Sequence, residues 1–320
     1  MTEYRTFLNS DPPHIAALWN SAGLGRGAAG DCTVDTFESL IFAQPYFDPK
    51  GLIVATDGQR RVGFALASFP CRTDETGLRN DVGVICGVIV HPDYRRQGIA
   101  RELLRRAEEY LLAAGVETLE AGPAGHLGPF HFGLYGGSEP AGFLESDTAA
   151  KPFFEAQGYR EERRHLVFQR VLGTQPNPMS FRLVTICRKT ELTVTDQPEH
   201  LSWWWVTRHG RIDSLRFHLT PKSGDAPLAS ATVIGLDYYL PKWRERSVGL
   251  MDLEVPEARR GSGYGQALLV EIGRRVAREM VTRIEAHALD TNEGAIGVLR
   301  SAGFSQVDTG IVYSKPVVHP

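Results

Sequence analysis

The amino-acid sequence predicts an α/β fold made of two copies of one unit, each a mixed β-sheet flanked by helices. The first observation behind this prediction is an internal repeat. When Gly98 is aligned with Gly263, 165 positions later, "LEA" at 119–121 meets "IEA" at 284–286 without a gap. The second is the mixed order of strand-like and helix-like patterns in both halves of the chain. The third is the length of 320 residues, which suits two domains with a hydrophobic core each.

In the first copy, apolar periodicity and turn residues predict helices on both sides of a strand-rich middle. In chain order the predicted elements are a helix from about Pro13, a helix at 34–43, strands at 51–56, 61–69 and 82–90, a helix at 98–114, a strand at 116–121, a helix at 148–157 and a strand at 163–171. A later match, "FFEAQGY" at 153–159 with "VLRSAGF" at 298–304, has an offset of 145, so the first copy carries about 20 extra residues before it.

The second copy is predicted to repeat this order with shortened early helices. Its predicted elements are strands at 181–188, 214–219, 228–237 and 248–255, a helix at 263–279, a strand at 282–288, a helix at 292–302 and a strand at 310–318. One weak helical stretch at about 197–209 stands where the first copy has two helices. Gly, Pro and Asn cluster in "GTQPNPMS" at 173–180, which predicts a linker. We therefore expect domains at 1–172 and 177–320.

Composition excludes several classes of function. A net charge of −3 gives no global basic field for nucleic acid or anionic lipid. The longest apolar runs, such as "VGVICGVIV" at 82–90, fall far short of the roughly 20 residues of a membrane span. The N-terminus lacks a signal-peptide pattern, and the four cysteines show no C-x-x-C spacing. We expect a cytoplasmic protein with reduced thiols and no metal site, acting on a small molecule as a monomer or homodimer.

Two turns rich in arginine and glycine precede amphipathic helices, in "HPDYRRQGIARELL" at 91–104 and "VPEARRGSGYGQALL" at 255–269. The first turn of a helix has unpaired backbone N–H groups and partial positive charge. Glycine permits a close approach to the backbone, and arginine adds charge. Each turn therefore suits a diphosphate, although a solvated basic helix start with a turn glycine stays an alternative. Neither turn has the Walker A spacing, and neither follows the first strand of its unit as a Rossmann turn does.

Strand, short turn, [RQ]-x-x-G-x-[GA] and amphipathic helix together resemble the signature of the GNAT superfamily of N-acetyltransferases. "RRQGIA" at 95–100 and "RGSGYG" at 260–265 both satisfy it, and "NEGAIGVLRSAGF" at 292–304 resembles a later family element. The second copy has one extra residue between Pro256 and its turn, and Asp147 stands in the first copy where the later element has Asn292. In its two-copy layout the chain is similar to mycothiol synthase-like tandem acetyltransferases.

The resemblance implies two tandem GNAT-type mixed β-sheets flanked by helices, with acetyl-CoA as cosubstrate and no metal. It implies that the turn amides hold the CoA pyrophosphate and that the preceding strand binds the pantetheine arm. By position, the implied cofactor-binding residues of the first copy are Val88, Ile89, Val90, Arg95, Arg96, Gln97, Gly98, Ile99 and Ala100. Those of the second copy are Leu253, Val255, Arg260, Gly261, Ser262, Gly263, Tyr264, Gly265 and Asn292.

The general acid and base are less well defined. The tyrosine that protonates the CoA thiolate in this family is replaced by Phe154 in the first copy and Leu299 in the second. Tyr135, in the first copy's insertion, is a candidate replacement. Glu120 and its equivalent Glu285 are candidate bases, with a surface glutamate as the alternative. Two further candidate bases, Asp252 and Glu254, lie on the strand predicted at 248–255 in the second copy.

Two segments help to predict which copy carries out the acetyl transfer: the insertion at 124–147 and the tryptophans at 203–205. The insertion either walls a substrate pocket or fills the interface with the second copy. A metal site at His126 and His131 has no supporting ligand spacing. The tryptophans suit a packed interface better than an aromatic substrate pocket. We expect a small primary amine to be acetylated in the first copy; the alternatives are a non-catalytic acyl-CoA-binding or sensing protein and a scaffold.

Overall fold

The computed structural model describes residues 2–129, 134–174, 176–196, 201–224 and 226–317. Among these residues it has nine α-helices and thirteen β-strands. The helices are α1 (Pro12–Ser21), α2 (Val34–Phe37), α3 (Ile99–Ala113), α4 (Ala150–Ala156), α5 (Phe181–Lys189), α6 (Trp203–His209), α7 (Leu240–Trp243), α8 (Tyr264–Ala277) and α9 (Glu293–Ser301). The strands are β1 (Thr2–Thr6), β2 (Leu52–Asp57), β3 (Arg60–Ser68), β4 (Val82–Val90), β5 (Thr118–Ala121), β6 (Phe143–Leu144), β7 (Arg160–Val171), β8 (Thr190–Thr195), β9 (Ser214–Pro221), β10 (Ala229–Gly235), β11 (Ser247–Glu254), β12 (Arg283–Leu289) and β13 (Ser305–Pro316).

All of these strands belong to one mixed sheet, in the order β1-β2-β3-β4-β5-β13-β7-β12-β11-β10-β9-β8, with β6 paired to β13. The pairs β4–β5 and β11–β12 are parallel, and the remaining pairs are antiparallel. The sheet therefore repeats the same strand arrangement on either side of its centre, which confirms the α/β fold predicted from the repeat.

The two copies exchange their last strands at the centre of the sheet. Strand β7, from the first copy, lies between β13 and β12 of the second, and β13 lies between β5 and β7 of the first. Both neighbours of β7 in the sheet, β13 and β12, therefore come from the second copy. Both neighbours of β13 in the sheet order, β5 and β7, come from the first copy. The limits 1–172 and 177–320 stay a prediction, since each half of the sheet draws on strands from both stretches.

The helices cover the two faces of the sheet unequally. On one face, α3 and α8 each cover their own copy, with Leu103 and Leu268 among the fully buried side chains. On the other face the two copies share a single core, in which Trp19 and Phe37 from the first copy join Trp204 and Tyr239 from the second. Trp204 is 1% exposed and packs on the Tyr46 ring, as the interface prediction requires, whereas Trp203 is 43% exposed and does not fit it.

Most predicted elements are present, but one is of the wrong type and four were not predicted. The strand predicted at 181–188 is wrong, because this segment forms the helix α5, with Ser180 as its N-cap accepting a hydrogen bond from the Leu183 N–H at 3.1 Å. Leu183 packs in the core that contains α8, and this tertiary contact outweighs the strand preference of Val184 and Ile186. The elements that were not predicted are β1, β6, β8 and α7; β1 and β8 lie at the two edges of the sheet.

Candidate functional site

The turn before α3 is open to solvent in the first copy. Gly98 is the N-cap of α3 and has φ +83°, in the left-handed region that favours glycine. A Cβ built on Gly98 would meet no atom within 4 Å. Arg96 is also left-handed, with φ +61°. The backbone at this turn is therefore shaped by two left-handed residues and is accessible from outside.

The same turn also has backbone N–H groups that are available to a ligand. In the described part of the chain, no hydrogen bond is made by the N–H groups of Arg96, Gln97 and Gly98. The first residues of α3 add further N–H groups without helical partners, and the helix dipole places partial positive charge there. These features together form a cradle that fits a diphosphate.

The two arginines of the first turn have different environments. Arg95 donates from Nε to the Val90 carbonyl at 3.1 Å and from its guanidinium to the Ala22 carbonyl. It therefore ties the end of β4 to the end of α1. Arg96 is exposed, so its charge is available beside the turn. Mobile charge at this turn comes from Arg96, while Arg95 fixes the position of the strand.

Strands β4 and β5 separate next to this turn. They are paired from Val82 with Thr118 to Ile85 with Ala121. Beyond that point β4 continues to Val90 with pairing to β3, whereas β5 ends. The register of β4 against β3 shifts at the point where Cys86 is the extra residue, as in a β-bulge. The backbone of 87–90 therefore faces a gap on its β5 side, and the predicted residues at 88–90 lie along this gap.

The second copy has the same backbone features. Strands β11 and β12 are paired from Ser247 with Arg283 to Leu250 with Ala286, and β11 then continues alone on that side. A shift in the β10–β11 register coincides with Asp252, which has φ +50°. Gly263 is the N-cap of α8 with φ +85°. The repeat in sequence is thus a repeat in turn, bulge and strand separation.

The two turns differ in what lies over them. Arg182 of α5 donates to the Gly261 carbonyl at 2.7 Å. A Cβ on Gly263 would lie 3.3 Å from both Arg182 Nε and Ile186 Cδ1. Helix α5 therefore covers the second turn at Gly263, whereas a Cβ on Gly261 would meet no atom within 4 Å. In the first turn the corresponding glycine, Gly98, is open.

Asn292 has a structural position in the second copy. Its side chain accepts a hydrogen bond from the Ala295 N–H at 3.0 Å and caps α9. This is the ordinary N-cap use of asparagine, and it places the side chain at the helix start. The role of Asn292 in binding a cofactor stays a prediction.

The two equivalent glutamates lie in different environments. Glu120 is paired with Arg163 through two hydrogen bonds, at 2.9 and 2.8 Å, and its side chain is 17% exposed. Glu285 is 1% exposed and accepts from Gln169 Nε2 at 2.5 Å and from the Ser138 N–H at 3.2 Å. Burial raises the pKa of Glu285, but the neighbouring His287, the hydrogen bond from Gln169 and the charge of Arg26 outweigh it, and the pKa is lowered overall. Both carboxylates are thus held in place by neighbouring side chains.

Two other candidate bases lie on β11. Asp252 is exposed, and its backbone carbonyl accepts a hydrogen bond from Arg216 at 3.0 Å. Glu254 is 61% exposed and pairs with the buried Arg216 at 2.9 Å. The structure therefore places both carboxylates at the end of the strand that borders the second gap.

The insertion at 124–147 lies, in its described part, between the two copies. The Gly137 N–H donates to the Tyr239 hydroxyl at 2.9 Å, and the neighbouring Ser138 N–H donates to Glu285. Tyr135 is buried, donates its hydroxyl proton to Asp147 and accepts from the Leu144 N–H at 3.1 Å. Burial, together with the Asp147 carboxylate, raises the pKa of Tyr135 well above its usual value. This geometry favours the interface role of the insertion.

The positions of the missing tyrosine are part of the hydrophobic core. Phe154 is 2% exposed and stacks on Phe143 and Tyr313, with ring centroids 4.9 and 5.5 Å apart. Leu299 is likewise 2% exposed. The replacements therefore serve packing.

The sequence analysis missed a histidine at the second gap. His287 follows directly after Ala286, the last residue of β12 that is paired to β11, and its side chain is 2% exposed. Its Nε2 lies 3.5 Å from Glu285 Oε1, and neither ring nitrogen makes a hydrogen bond to any residue that the structure describes. The signal that could have found it is the spacing of two residues, which places Glu285 and His287 on the same face of a strand.

Among the described residues, no three His, Cys, Asp or Glu side chains are grouped so that they could hold a metal ion. His126 is described, whereas His131 lies outside the described residues. No helix of the described chain is long and apolar enough to cross a bilayer.

Comparison with known proteins identifies the family of this chain. The family model described as the acetyltransferase (GNAT) family matches residues 26–126 and 186–304, which together are more than half of the chain. The two matched regions contain the two glycine turns. No curated protein matches the chain.

Solved structures of similar fold cover the chain end to end. A tandem GNAT protein from the clavulanic acid biosynthesis pathway is 17% identical, with 100% of both chains covered and a TM-score of 0.68. A GCN5-related N-acetyltransferase from Sphaerobacter thermophilus is also 17% identical, with 98% of this chain and 95% of that chain covered and a TM-score of 0.61. These likenesses show the fold, and with the two family matches they identify a tandem arrangement of two GNAT folds. The chain belongs to the acetyltransferase (GNAT) family.

Proposed function

We propose that this protein is an acetyl-CoA-dependent N-acetyltransferase that acts on a small primary amine and holds acetyl-CoA in the first copy. The observation that supports this most is the open turn at Gly98, which lies beside the gap between β4 and β5. The pyrophosphate fits the amides of Arg96, Gln97 and Gly98, and the exposed Arg96 supplies charge. The pantetheine arm fits along the backbone of 87–90.

The reaction requires three events at the acetyl group. The amine nitrogen attacks the thioester carbonyl carbon, the C–S bond breaks, and the CoA thiolate leaves. The attacking nitrogen must lose a proton, because an alkylamine has a pKa of about 10 and is protonated at neutral pH. Backbone N–H groups of β4 that face the gap are positioned to stabilise negative charge on the carbonyl oxygen.

Glu120 and Tyr135 remain our proposals for the base and the acid. Glu120 lies on β5, the strand that borders the gap, and Arg163 holds the orientation of its carboxyl group. Tyr135 keeps its proton at neutral pH, because burial and Asp147 raise its pKa, so it has a proton to donate. Cys86, on β4 at the same gap, also stays protonated, since burial raises the pKa of its thiol.

A second candidate function is acyl-CoA binding without catalysis. It is favoured by Phe154 and Leu299, which replace the tyrosine implied by the family resemblance at both positions. The two functions differ in one measurable product. A catalyst releases CoA thiol when an amine is present, and a binding protein does not.

Calorimetric titration with acetyl-CoA tests the binding step. We expect wild type to bind, Gly98→Glu to lose binding, and Gly263→Glu to bind as wild type does. Gly115→Glu is the matched control, because Gly115 also has a left-handed φ, of +87°, with open space around it, but lies at the other end of α3. If only Gly263→Glu loses binding, the assignment to the first copy is wrong.

Turnover then tests the transfer step. Thiol release is followed with a panel of amines, including amino acids, aminoglycosides, polyamines, amino sugars and peptides with a free N-terminus. Release that depends on an amine supports the transferase. Binding without release for the whole panel supports the binding protein, and failure of wild type to bind acetyl-CoA supports a scaffold.

A further inference from the structure

Helix α5, which follows the linker, lies across the second glycine turn. The Arg182 side chain reaches the Gly261 carbonyl at 2.7 Å, on one side of the turn. Its Nε and the Ile186 Cδ1 are both 3.3 Å from the position of a Cβ on Gly263. One polar and one apolar side chain of α5 therefore fill the space into which this glycine would otherwise admit a ligand.

The corresponding glycine of the first turn, Gly98, has no side chain over it. Gly98 and Gly263 have φ values of +83° and +85°, and both are N-caps of long amphipathic helices. The space beyond the Cα is empty to 4 Å at Gly98 and occupied at Gly263. The two turns thus share the left-handed N-cap glycine and differ in the access to it. They also differ in one backbone hydrogen bond, since the Ser262 N–H donates to the Arg259 carbonyl at 3.3 Å.

The position of α5 is fixed by several contacts outside the turn. Ser180 caps the helix, and Leu183, 3% exposed, packs in the core with α8. Just before the helix, Asn177 accepts a hydrogen bond from Arg170, and Pro178 lies 3.4 Å from a Cβ placed on Gly303. The helix that covers the second turn is therefore anchored to the second copy at its N-terminal end.

We propose that α5 is a built-in closure of the second acyl-CoA site, with Arg182 and Ile186 as the closing side chains. This inference rests on the proposed function, since it takes acetyl-CoA as the ligand of an open turn. The folded chain then binds one acetyl-CoA, at the first turn. Withdrawal of the Arg182 side chain opens a second binding site at Gly261–Gly263, where Arg259 and Arg260 supply exposed positive charge.

The opposite face of the second copy is also covered, by the first copy's insertion. Ser138 Cβ lies 2.6 Å from a Cβ placed on Gly249, and the Ser138 N–H donates to Glu285. Glu285 and His287 are consequently buried beneath the insertion. An opened second turn should therefore bind acetyl-CoA without transferring the acetyl group.

Calorimetry on the full chain tests this closure. The first site is removed with Gly98→Glu, and Arg182→Ala is added to open the second. We expect Gly98→Glu alone to show no binding, and Gly98→Glu with Arg182→Ala to bind one acetyl-CoA. Arg182→Ala by itself should raise the stoichiometry from one to two. Arg188→Ala is the matched control, since it removes the same exposed charge from the same helix. Ile186→Ala, added to the double variant, should tighten binding further.

Each outcome bears on the closure separately from the proposed function. If wild type binds one acetyl-CoA and the double variant binds none, the closure is wrong and the transferase proposal stands. If Gly98→Glu binds as wild type does, the second turn is already open and the closure is wrong. If wild type fails to bind while Arg182→Ala binds one, the closure is supported and the site proposed in the first copy is lost. If neither binds, both proposals fail.

Discussion

Replacement of Glu285 distinguishes a structural carboxylate from a catalytic one. Glu285 is buried where the two copies meet, and it accepts hydrogen bonds from Gln169 and from the Ser138 N–H. Arg26 lies 3.3 Å from the same carboxylate. Its equivalent in the repeat, Glu120, contacts the partly exposed Arg163. The substitutions Glu285→Ala and Glu120→Ala therefore remove the same group from two environments of the same fold.

The expected magnitude follows from the partners that are left behind. Glu285→Ala leaves two buried donors without an acceptor, and each costs about 1–3 kcal/mol. Arg26 adds little, because it is 30% exposed and keeps Asp308 as a partner at 3.4 Å. We expect a loss of about 3–5 kcal/mol in the free energy of unfolding for Glu285→Ala. Glu120→Ala removes an ion pair whose arginine is 41% exposed, so we expect a loss below about 1 kcal/mol.

Thermal and denaturant unfolding check this difference. In a chain of 320 residues that unfolds as one unit, about 1 kcal/mol corresponds to about 1.5 °C of melting temperature. Glu285→Ala should therefore melt about 4–7 °C below wild type, and Glu120→Ala within about 2 °C of it. The reasoning is refuted if the two variants lose equal stability. A Glu285→Ala protein as stable as wild type, but without transferase activity, would identify Glu285 as a catalytic base.

The pH dependence of stability gives an independent check. The pKa of Glu285 is lowered in the folded protein, while an unfolded glutamate has a pKa of about 4.3. A lowered pKa contributes stability that is present above the unfolded value and is lost as the pH falls through the folded value. The gap in stability between wild type and Glu285→Ala should therefore narrow below about pH 4. A gap that stays constant from pH 7 to pH 3 contradicts the assignment.

Three further predictions follow from other parts of the structure. Asn292→Ala should lower the free energy of unfolding by about 1 kcal/mol through the lost N-cap of α9 and leave the affinity for acetyl-CoA unchanged, as measured by denaturation and calorimetry. Tyr135→Phe should lower kcat at least about tenfold without changing KM if the Tyr135 hydroxyl is the acid. If the variant loses stability but keeps its kcat, the hydroxyl serves only to hydrogen-bond Asp147. Two chains divided within 173–180 should form a 1:1 complex when co-expressed and aggregate when expressed alone, because β7 and β13 pair across the copies; light scattering checks this.

The turns and their helices were predictable because local sequence determines them. The helices predicted at 98–114 and 263–279 are Ile99–Ala113 and Tyr264–Ala277, each preceded by a left-handed glycine. An amphipathic helix of this length is stabilised when its apolar face packs on the sheet, and the glycine sets where the helix begins. The part of the site built from the turn and the following helix was therefore available from the sequence.

The exchange of strands was not predictable from the same kind of pattern. Strands β7 and β13 alternate as any half-buried antiparallel strand does, and alternation does not identify the neighbouring strand. The environments of Glu120 and Glu285 were likewise not predictable from local sequence. "LEA" and "IEA" are nearly identical, yet Glu120 contacts Arg163, while Glu285 contacts Gln169 and the first copy's insertion. Their difference in burial comes from segments distant in sequence.

The glycine motif of the second copy has a structural explanation that does not require a second ligand. Gly263 has φ +85° because the chain turns there from β11 into α8, and an ordinary residue at this φ costs about 1–2 kcal/mol. The motif is thus needed to begin α8 whether or not acetyl-CoA binds. What separates a binding turn from a structural one is the space above the glycine, which is empty at Gly98 and filled by Arg182 and Ile186 at Gly263. Duplication of the motif therefore does not by itself imply two working sites.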